Sequence, residues 1–402
     1  MAQTAWGQVF YSDEFAGIIQ EEPGDRYSFT YDKTYSEKKY PAVSHCLPLQ
    51  DSPHISAYGL HPFFDNLVAE GWLENAQKRA LGKREASRFS LLLGFGFDCA
   101  GAVSVRDPEP AQTSDKLLNL DDPREHAILA SRASLSGIQP KMAVRKEGKK
   151  FFPCHWNELS THIAKFSSET HPNILENEFL CTQIHKILLP GDPVVTMEMR
   201  LVEGIESSAL IIERFDRSPQ GRIHFEEFNQ LLNQKSRDKY EGSHEAMADF
   251  INTTPGCIPA ETYRLFGRIL AGFLLGNTDM HLKNFAMIHT SDGLRLTPAY
   301  DIVGASSYGY KTIALEINQA KDLRLGDLKA RHIIALGRAF GLPDEAIALK
   351  THELHSRLEA AKDHISEAVI GGESLKNHLI ETLEKRWNGT FALIGQTLSK
   401  KP

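Results

Sequence analysis

The strongest apolar pattern in this 402-residue chain lies at residues 263–275. Apolar side chains recur there at the three- and four-residue spacing of a helix, at Leu265, Phe266, Ile269, Leu270, Phe273 and Leu274. Gly276 follows where a helix commonly ends, so the pattern predicts a buried helix. Two short apolar runs, 285–288 and 294–296, flank a Ser-Asp-Gly turn and predict a hairpin.

Short apolar runs separated by turns predict strands near the N-terminus, at residues 9–11, 15–19 and 27–31. A helical part is expected from residue 61 to residue 93, where Gly94-Phe-Gly96 would stop it. Further strands or helices are expected at 161–166, 175–189, 209–217, 327–340 and 374–394. The chain is mostly helical after residue 225, which indicates an α+β protein.

Composition narrows the class of protein. The formal net charge of −7 argues against a nucleic-acid binder with a global basic field. No run of about 18 apolar residues is present, and the first residues lack the features of a signal peptide, so we expect a cytoplasmic protein without a membrane span. The five cysteines and 17 histidines show neither disulfide nor zinc-site spacing. A metal is therefore expected only as Mg²⁺ that accompanies a nucleotide.

Asp279 and Asn284 lie between the expected buried helix and the hairpin, and the hairpin returns the chain to Asp301. Asp-x-x-x-x-Asn is the spacing of a protein-kinase catalytic loop, and kinases carry their main magnesium ligand one hairpin later. Phosphoryl transfer needs a carboxylate to deprotonate a hydroxyl, and oxygen ligands to hold Mg²⁺ on the nucleotide. Alternatively, these side chains only satisfy loop backbone groups. Their clustering between two apolar elements favours a phosphoryl-transfer site.

Two earlier stretches allow both a functional and a structural interpretation. Lys165 lies in an apolar strand before a helix that carries Glu178 and Glu176, the arrangement that positions a phosphate-binding lysine in kinases. Lysines in strands also commonly extend to water, so this pattern alone does not distinguish a phosphate-binding lysine from a structural one. Residues 131–144 form a Ser- and Gly-containing turn before an alternating apolar run, which fits a phosphate-binding loop or an ordinary hairpin.

Seven ungapped stretches follow one another along nearly the whole chain: FFDNL at 63–67, SLSGIQPK at 134–141, THIAK at 161–165, NE at 177–178, ERFDR at 213–217, DMHLKN at 279–284 and LTPAYD at 296–301. Together they resemble the HipA-type serine/threonine kinases of bacterial toxin–antitoxin modules. The resemblance implies a protein-kinase-like fold of two lobes, with a strand-containing N-terminal lobe and a mostly helical C-terminal lobe.

This resemblance also suggests a division of the chain into domains. Residues 1–107 would form an N-terminal subdomain of a small sheet and helices, and residues 108–127, rich in proline and acidic residues, would form a linker. Residues 128–222 would form the small-lobe core and the hinge. Residues 223–402 would form the helical C-terminal lobe.

The resemblance assigns a role to individual residues. Asp279 would be the catalytic aspartate, Asn284 and Asp301 would bind Mg²⁺, and Lys165 would contact the nucleotide phosphates. The other nucleotide-binding residues would be Ser136, Gly137, Ile138, Gln139 and Lys141 of the loop that covers the phosphates, Glu213, Arg214 and Phe215 of the adenine hinge, and His281, Lys283 and Tyr300 near the catalytic loop.

In such kinases a serine of the phosphate-covering loop is autophosphorylated, which displaces the loop and inactivates the enzyme. Ser134 is the preferred site here and Ser136 is the alternative. About two negative charges added beside the nucleotide phosphates would repel the loop from its closed position.

Three functions remain in competition. The first is an ATP- and Mg²⁺-dependent, non-specific serine/threonine protein kinase that acts as a toxin. Its partner would be a helix-turn-helix antitoxin like HipB, its target a translation-related protein such as glutamate-tRNA ligase, and its DNA contact indirect. The second is a non-catalytic corepressor, and the third is a small-molecule phosphotransferase. The intact set Lys165, Asp279, Asn284 and Asp301 favours the kinase over the corepressor. Only substrate tests would separate it from the phosphotransferase.

Overall fold

The computed structural model of the chain describes residues 5–81, 86–108, 139–155 and 158–399. Nearly all of the expected linker at 108–127 lies outside the described residues. The same holds for residues 134–138 of the expected phosphate-covering loop, which include Ser134, Ser136, Gly137 and Ile138. No helix in the described ranges is both long and apolar enough to cross a membrane.

The chain packs into two compact units that interleave along the sequence. The first unit comprises Met1–Ser167 and Met197–Asp238, and the second comprises Ser168–Thr196 and Lys239–Pro402. Each unit thus combines two separate segments of chain. The domains expected from the sequence are consecutive ranges of residues. The division into two interleaved units does not test their boundaries, which stay predictions.

The strands of the described residues are short, and most belong to the first unit. Their bounds are β1 Trp6–Tyr11, β2 Glu14–Glu22, β3 Arg26–Tyr31, β4 His54–Ser56, β5 Val103–Arg106, β6 Lys141–Glu147, β7 Lys150–Pro153, β8 His162–Phe166, β9 Met197–Leu201, β10 Ser208–Glu213, β11 Arg217–Ser218, β12 Gly221–Arg222, β13 Phe225–Glu227, β14 Ala286–Thr290 and β15 Gly293–Leu296.

The helices of the described residues are longest in the second unit. Their bounds are α1 Lys33–Glu37, α2 Pro62–Asn66, α3 Gly71–Ala80, α4 Arg88–Phe95, α5 Ile174–Leu188, α6 Phe228–Leu231, α7 His244–Thr253, α8 Ala260–Leu275, α9 Ala330–Ala339, α10 Asp344–His355, α11 Leu358–Glu367, α12 Gly372–Gly389 and α13 Ile394–Ser399.

The first unit begins with an antiparallel sheet of order β4-β3-β2-β1-β5. The three strands predicted near the N-terminus are confirmed as β1, β2 and β3. Aromatic residues join this sheet to the helices that follow: Phe29 lies edge to face with Phe64 at 5.4 Å between ring centroids, and Tyr27 with Phe89 at 5.3 Å. Such pairs contribute beyond their buried area.

The helical part expected at residues 61–93 is confirmed, but it is divided into α2, α3 and α4. His61 caps α2, since its imidazole accepts a hydrogen bond from the backbone N–H of Phe63. Ser87 caps α4 by accepting from the N–H of Ser90 at 3.1 Å. Helix α4 continues through Gly94 to Phe95, two residues beyond the expected end, and ends before Gly96.

A second antiparallel sheet of the first unit has the order β7-β6-β8-β10-β9. Its central strands β8 and β10 are largely buried, which confirms the strands expected at 161–166 and in the first part of 209–217. In this sheet Lys141 of β6 lies directly opposite Lys165 of β8.

The second unit is mostly helical and contains the predicted hairpin as β14 and β15, paired with Met287 opposite Leu296. Helix α8 packs against α5, α7 and α12. The apolar stripe of α12, formed by Leu375, Leu379 and Leu383, is buried, as expected of a core helix.

Candidate active site

The expected catalytic loop, residues 277–284, begins where α8 ends. The six apolar residues that predicted this helix are completely buried. Gly276 has φ +72°. Its N–H donates to the carbonyl of Phe273 at 3.3 Å, and the N–H of Asn277 donates to that of Gly272 at 2.9 Å. These two bonds form a Schellman motif, which requires the left-handed conformation that glycine adopts without strain. The predicted helix end at Gly276 is confirmed.

Asp279 and Asn284 are held in one tight loop. The backbone carbonyl of Asp279 accepts hydrogen bonds from the side-chain Nδ2 of Asn284 at 2.7 Å and from the N–H of His281 at 2.9 Å. The N–H of Asp279 donates to Oδ1 of Asn277 at 3.1 Å. A single 3-10 turn at Leu282–Asn284 closes the loop. The structure therefore brings together the two residues that the Asp-x-x-x-x-Asn spacing singled out.

The carboxyl group of Asp279 has a raised pKa. Desolvation is the main cause, and the negative charge of Asp301 adds to it. A hydrogen bond from Tyr240 and the charge of Lys239 act in the opposite direction. Asp279 as a residue is exposed, but its carboxyl group lies among enough protein atoms for desolvation to dominate. The influence of Asp301 shows that the two carboxylates lie near each other.

Asp301 follows the hairpin and lies in a strained backbone conformation. Its φ is +55°, in the left-handed region that residues with a Cβ seldom adopt. The segment before it is fixed at several points. The Tyr300 hydroxyl donates to the carbonyl of Lys283 at 2.8 Å, and the N–H of Ala299 donates to the carbonyl of Pro193 at 2.7 Å. The hairpin thus returns Asp301 to the catalytic loop, as the sequence predicted.

A buried cluster of charged side chains around Asp192 holds the chain just before Asp301. The sequence analysis did not predict this cluster. Asp192 accepts hydrogen bonds from Arg268 at 2.6 and 2.9 Å, from Arg264 at 2.6 Å and from His185 at 2.8 Å. Both arginines also donate to the backbone carbonyl of Thr297, four residues before Asp301. Burial alone would raise the pKa of Asp192, but Arg268 and the hydrogen bond from His185 hold it far below its usual range. The available signal was two arginines, four positions apart, in the otherwise apolar stretch 264–275 of the helix.

Tyr240 is a second residue that the sequence did not reveal. Its hydroxyl donates to Oδ1 of Asp279 at 3.0 Å, across 39 residues of sequence. Its ring lies edge to face with the imidazole of His281 at 5.1 Å between ring centroids. No local pattern links residues so far apart in the chain.

His281 and Lys283, expected near the nucleotide, are both buried in the catalytic loop. His281 contacts the Tyr240 ring, and the carbonyl of Lys283 accepts from Tyr300. These contacts place all three expected residues, His281, Lys283 and Tyr300, in the same loop region.

The expected phosphate-binding lysines belong to the first unit. Lys141 and Lys165 are both buried and occupy opposite positions of β6 and β8. Gln139, at the described end of the expected phosphate-covering loop, donates from Nε2 to the carbonyl of Phe166 at 2.8 Å. Glu178, the expected partner of Lys165, is buried on α5 of the second unit, and that pairing stays a prediction.

The expected hinge begins at Glu213, the last residue of β10, and continues with Arg214 and Phe215. The N–H of Arg214 donates to the carbonyl of Thr161 at 3.0 Å. Its guanidinium group is buried between Asp216, at 2.7 and 2.9 Å, and Asp98, at 3.2 Å. Both its backbone N–H and its side chain are thus engaged within the first unit.

The comparisons with known proteins agree with these motifs. Two family models match the chain: the HipA N-terminal domain at residues 7–106 and the HipA-like C-terminal domain at residues 133–366. The serine/threonine-protein kinase toxin HipA of Shewanella oneidensis is 25% identical over 405 residues, which cover 92% of this chain and 90% of that protein. The protein Y4dM of Sinorhizobium fredii is 27% identical over 395 residues, which cover 92% of this chain and 94% of that protein.

The fold is also similar to a solved structure, that of Shewanella oneidensis MR-1 HipA in a complex with HipB and operator DNA. The TM-score is 0.77 at 21% sequence identity, with 98% of this chain and 100% of that chain covered. This likeness confirms the mixed α+β class with a helical C-terminal part. The second family model alone spans more than half of the sequence. The chain belongs to the HipA-like family of serine/threonine kinase toxins.

Proposed function

We propose that this protein is an ATP- and Mg²⁺-dependent serine/threonine protein kinase. The observation that carries the proposal is the geometry of one loop in the second unit. The side-chain Nδ2 of Asn284 donates to the backbone carbonyl of Asp279 at 2.7 Å, and the Asp301 carboxylate is near enough to raise the pKa of Asp279. One carboxylate to accept a proton and two oxygen donors for a cation are the set that phosphoryl transfer needs.

Asp279 acts as the base. Its carboxylate orients the serine or threonine hydroxyl of the substrate and accepts its proton. The hydroxyl oxygen forms a bond to the γ-phosphorus of ATP while the bond from that phosphorus to the leaving ADP oxygen breaks. The raised pKa of Asp279 makes it a stronger proton acceptor than an ordinary aspartate.

Asn284 and Asp301 have the chemistry of Mg²⁺ ligands. The Nδ2 of Asn284 is committed to the Asp279 carbonyl, so its Oδ1 is the atom that it offers to a cation. Asp301 offers a carboxylate, and hard oxygen donors of this kind suit Mg²⁺. When bound, Mg²⁺ would neutralise charge on the nucleotide phosphates.

The nucleotide would be bound chiefly by the first unit. The buried pair Lys141 and Lys165 provides two adjacent positive charges for phosphates. Glu213 and Phe215 would offer backbone groups to adenine, whereas Arg214 would shape this hinge, because its N–H and side chain are engaged elsewhere.

Family membership supports the finer biological role. We infer a cytoplasmic toxin with a HipB-like helix-turn-helix antitoxin as its partner, DNA contact only through that antitoxin, and a translation-related protein such as glutamate-tRNA ligase as its target. Its inactivation would follow autophosphorylation of Ser134, or of Ser136, in the phosphate-covering loop.

The decisive experiment measures intact mass and maps phosphosites after incubation with Mg²⁺ and ATP. We expect the wild type to gain a phosphate on Ser134 or Ser136. Asp279→Asn should gain none, because the amide cannot accept the proton. A matched control is Asp292→Asn, the same chemical change at an exposed turn of the β14–β15 hairpin. It should be phosphorylated like the wild type.

Binding of ATP, measured by calorimetry on the same proteins, separates the alternatives. A wild type that neither binds ATP nor gains phosphate contradicts the kinase and supports a corepressor role. ATP binding together with phosphate transfer to a small molecule, but to no protein, supports the phosphotransferase.

A further inference from the structure

Tyr240 is anchored against the catalytic loop by contacts that do not involve its hydroxyl. The carbonyl of the preceding residue, Lys239, accepts a hydrogen bond from the N–H of Leu282 at 3.1 Å. The Tyr240 ring lies edge to face with His281, with an angle of 87° between the ring planes. One backbone bond and one ring contact thus fix where the hydroxyl of Tyr240 points.

The hydroxyl donates to a single oxygen of the carboxylate that the proposed reaction uses. The distance from Tyr240 Oη to Asp279 Oδ1 is 3.0 Å. The backbone of Asp279 is also held, since its N–H donates to Asn277 and its carbonyl accepts from Asn284. With the backbone fixed and Oδ1 engaged, rotation of the Asp279 carboxylate is restricted.

A general base works best when its accepting oxygen is aligned with the proton it removes. A carboxylate that rotates freely about its side-chain bonds spends little time in that alignment. Since Tyr240 engages Oδ1, the other oxygen, Oδ2, is the one left to accept the substrate proton.

We propose that Tyr240 is a positioning residue for the phosphoryl transfer: its hydroxyl holds the Asp279 carboxylate so that Oδ2 meets the substrate hydroxyl. This inference rests on the proposed kinase function. It goes beyond it by assigning a role to a residue that lies outside the Asp279–Asn284 loop.

A purely structural role would have a different signature. The Tyr240 residue is 47% exposed, so its hydroxyl contributes little burial, and a hydrogen bond at such a site adds little to folding stability. Its removal should therefore change the rate of transfer far more than the stability of the fold or the affinity for nucleotide.

The test uses Tyr240→Phe, which deletes the hydroxyl and keeps the ring contact with His281. At saturating Mg²⁺-ATP we expect its rate of autophosphorylation to fall about tenfold or more, as for loss of a charge-assisted hydrogen bond. The ATP concentration for half-maximal rate should stay within about twofold of the wild type, because binding is unaffected. The thermal unfolding midpoint should be unchanged.

Two further variants keep the result decisive. Tyr58→Phe makes the same chemical change at a tyrosine that is 82% exposed and should behave as wild type. Tyr240→Leu removes ring and hydroxyl together and should be at least as slow as Tyr240→Phe. If Tyr240→Leu is slow and Tyr240→Phe is not, the ring contact matters rather than the hydroxyl, and the proposal is wrong.

The outcomes also separate this proposal from the kinase proposal itself. An inactive wild type overturns both. An active wild type with Tyr240→Phe at the same rate overturns only the positioning role. A Tyr240→Phe variant with a lower unfolding midpoint and unchanged rate assigns Tyr240 to the fold alone.

Discussion

Lys141 and Lys165 lie directly opposite each other on the antiparallel strands β6 and β8, and the side chains of both are buried. Like charges in such cross-strand positions repel, and burial of an ammonium group carries a desolvation cost. The proposed function assigns both lysines to the nucleotide phosphates, and the strand register places the two side by side.

This argument predicts that Lys141→Met and Lys165→Met each weaken the binding of Mg²⁺-ATP. Loss of one charge-assisted contact to phosphate is worth about 1.5–3 kcal/mol, so we expect dissociation constants roughly 10- to 100-fold higher by calorimetry. Lys146→Met is the matched control, because Lys146 also lies on β6 but is exposed. Unchanged affinity in both buried-lysine variants would show that the phosphates bind elsewhere.

A second prediction concerns the buried cluster around Asp192. In Asp192→Asn the buried guanidinium group of Arg268 loses its countercharge while it remains in place, whereas Arg264 keeps its ion pair with Glu261. Removal of one partner from a buried ion cluster typically costs about 3–5 kcal/mol, and we expect a loss of this size in urea unfolding. The same variant should slow phosphate transfer, since the arginines also hold the carbonyl of Thr297 before Asp301.

The control for this experiment is Asp344→Asn, which breaks the exposed ion pair with Arg338 at 2.8 Å. Exposed pairs are screened by solvent, so only a small loss of stability is expected. Equal losses in both variants would mean that the Asp192 cluster does not carry the stability assigned to it.

The sequence revealed those features whose causes are local. The helix before Gly276, its glycine end and the β14–β15 hairpin were predicted because periodicity and turn residues act over a few positions. The Asp279–Asn284 loop was found for the same reason, since a fixed spacing carries it. A phosphoryl-transfer site could then be expected from residue types and spacing, and the resemblance to HipA-type kinases added the kinase role.

The remaining site features depend on contacts between distant segments. Tyr240 reaches Asp279 across 39 residues, and Asp192 reaches Arg268 across 76. Nor could the sequence show that the backbone N–H of Arg214 is bound to Thr161. Such pairs are determined by how helices and strands pack, and one sequence contains no direct record of that packing.

A third prediction tests why glycine stands at position 276. A Cβ there would collide with Ser306 Oγ and lie 2.9 Å from Thr382 Cγ2. The φ of +72° adds a backbone cost of about 1–2 kcal/mol for alanine. Gly341→Ala is the matched control. Gly341 also ends a helix, at φ +78°, but a Cβ there would meet nothing within 4 Å.

We expect Gly341→Ala to lose only the backbone cost in denaturant unfolding. Gly276→Ala should lose at least about 1 kcal/mol more, the lower end of the range for overpacking. The difference between the two variants isolates the steric term. No difference would indicate that Ser306 and Thr382 move aside at little cost, and that the loop before Asp279 tolerates more change than its packing suggests.

The fourth prediction concerns acid stability and His244, the first residue of α7. Its ring is completely buried against Phe273 and Phe285, and neither ring nitrogen has a hydrogen-bond partner among the described residues. Burial lowers the pKa of His244 from 6.5 to about 3. Above about pH 7.5 the imidazole is almost entirely neutral in the folded and the unfolded chain, so it does not make stability depend on pH.

Below this pH the unfolded chain binds a proton at His244 and the folded chain does not, so stability falls as pH falls. Between about pH 7.5 and about pH 5 this one group removes about 2 kcal/mol of unfolding free energy. In His244→Gln, which cannot titrate, that part of the decrease should disappear, whatever its stability at neutral pH. His352→Gln, at an exposed histidine, should leave the decrease intact. If both variants lose the same stability between the two pH values as the wild type, His244 is protonated in the folded state, and its site must admit water or a countercharge.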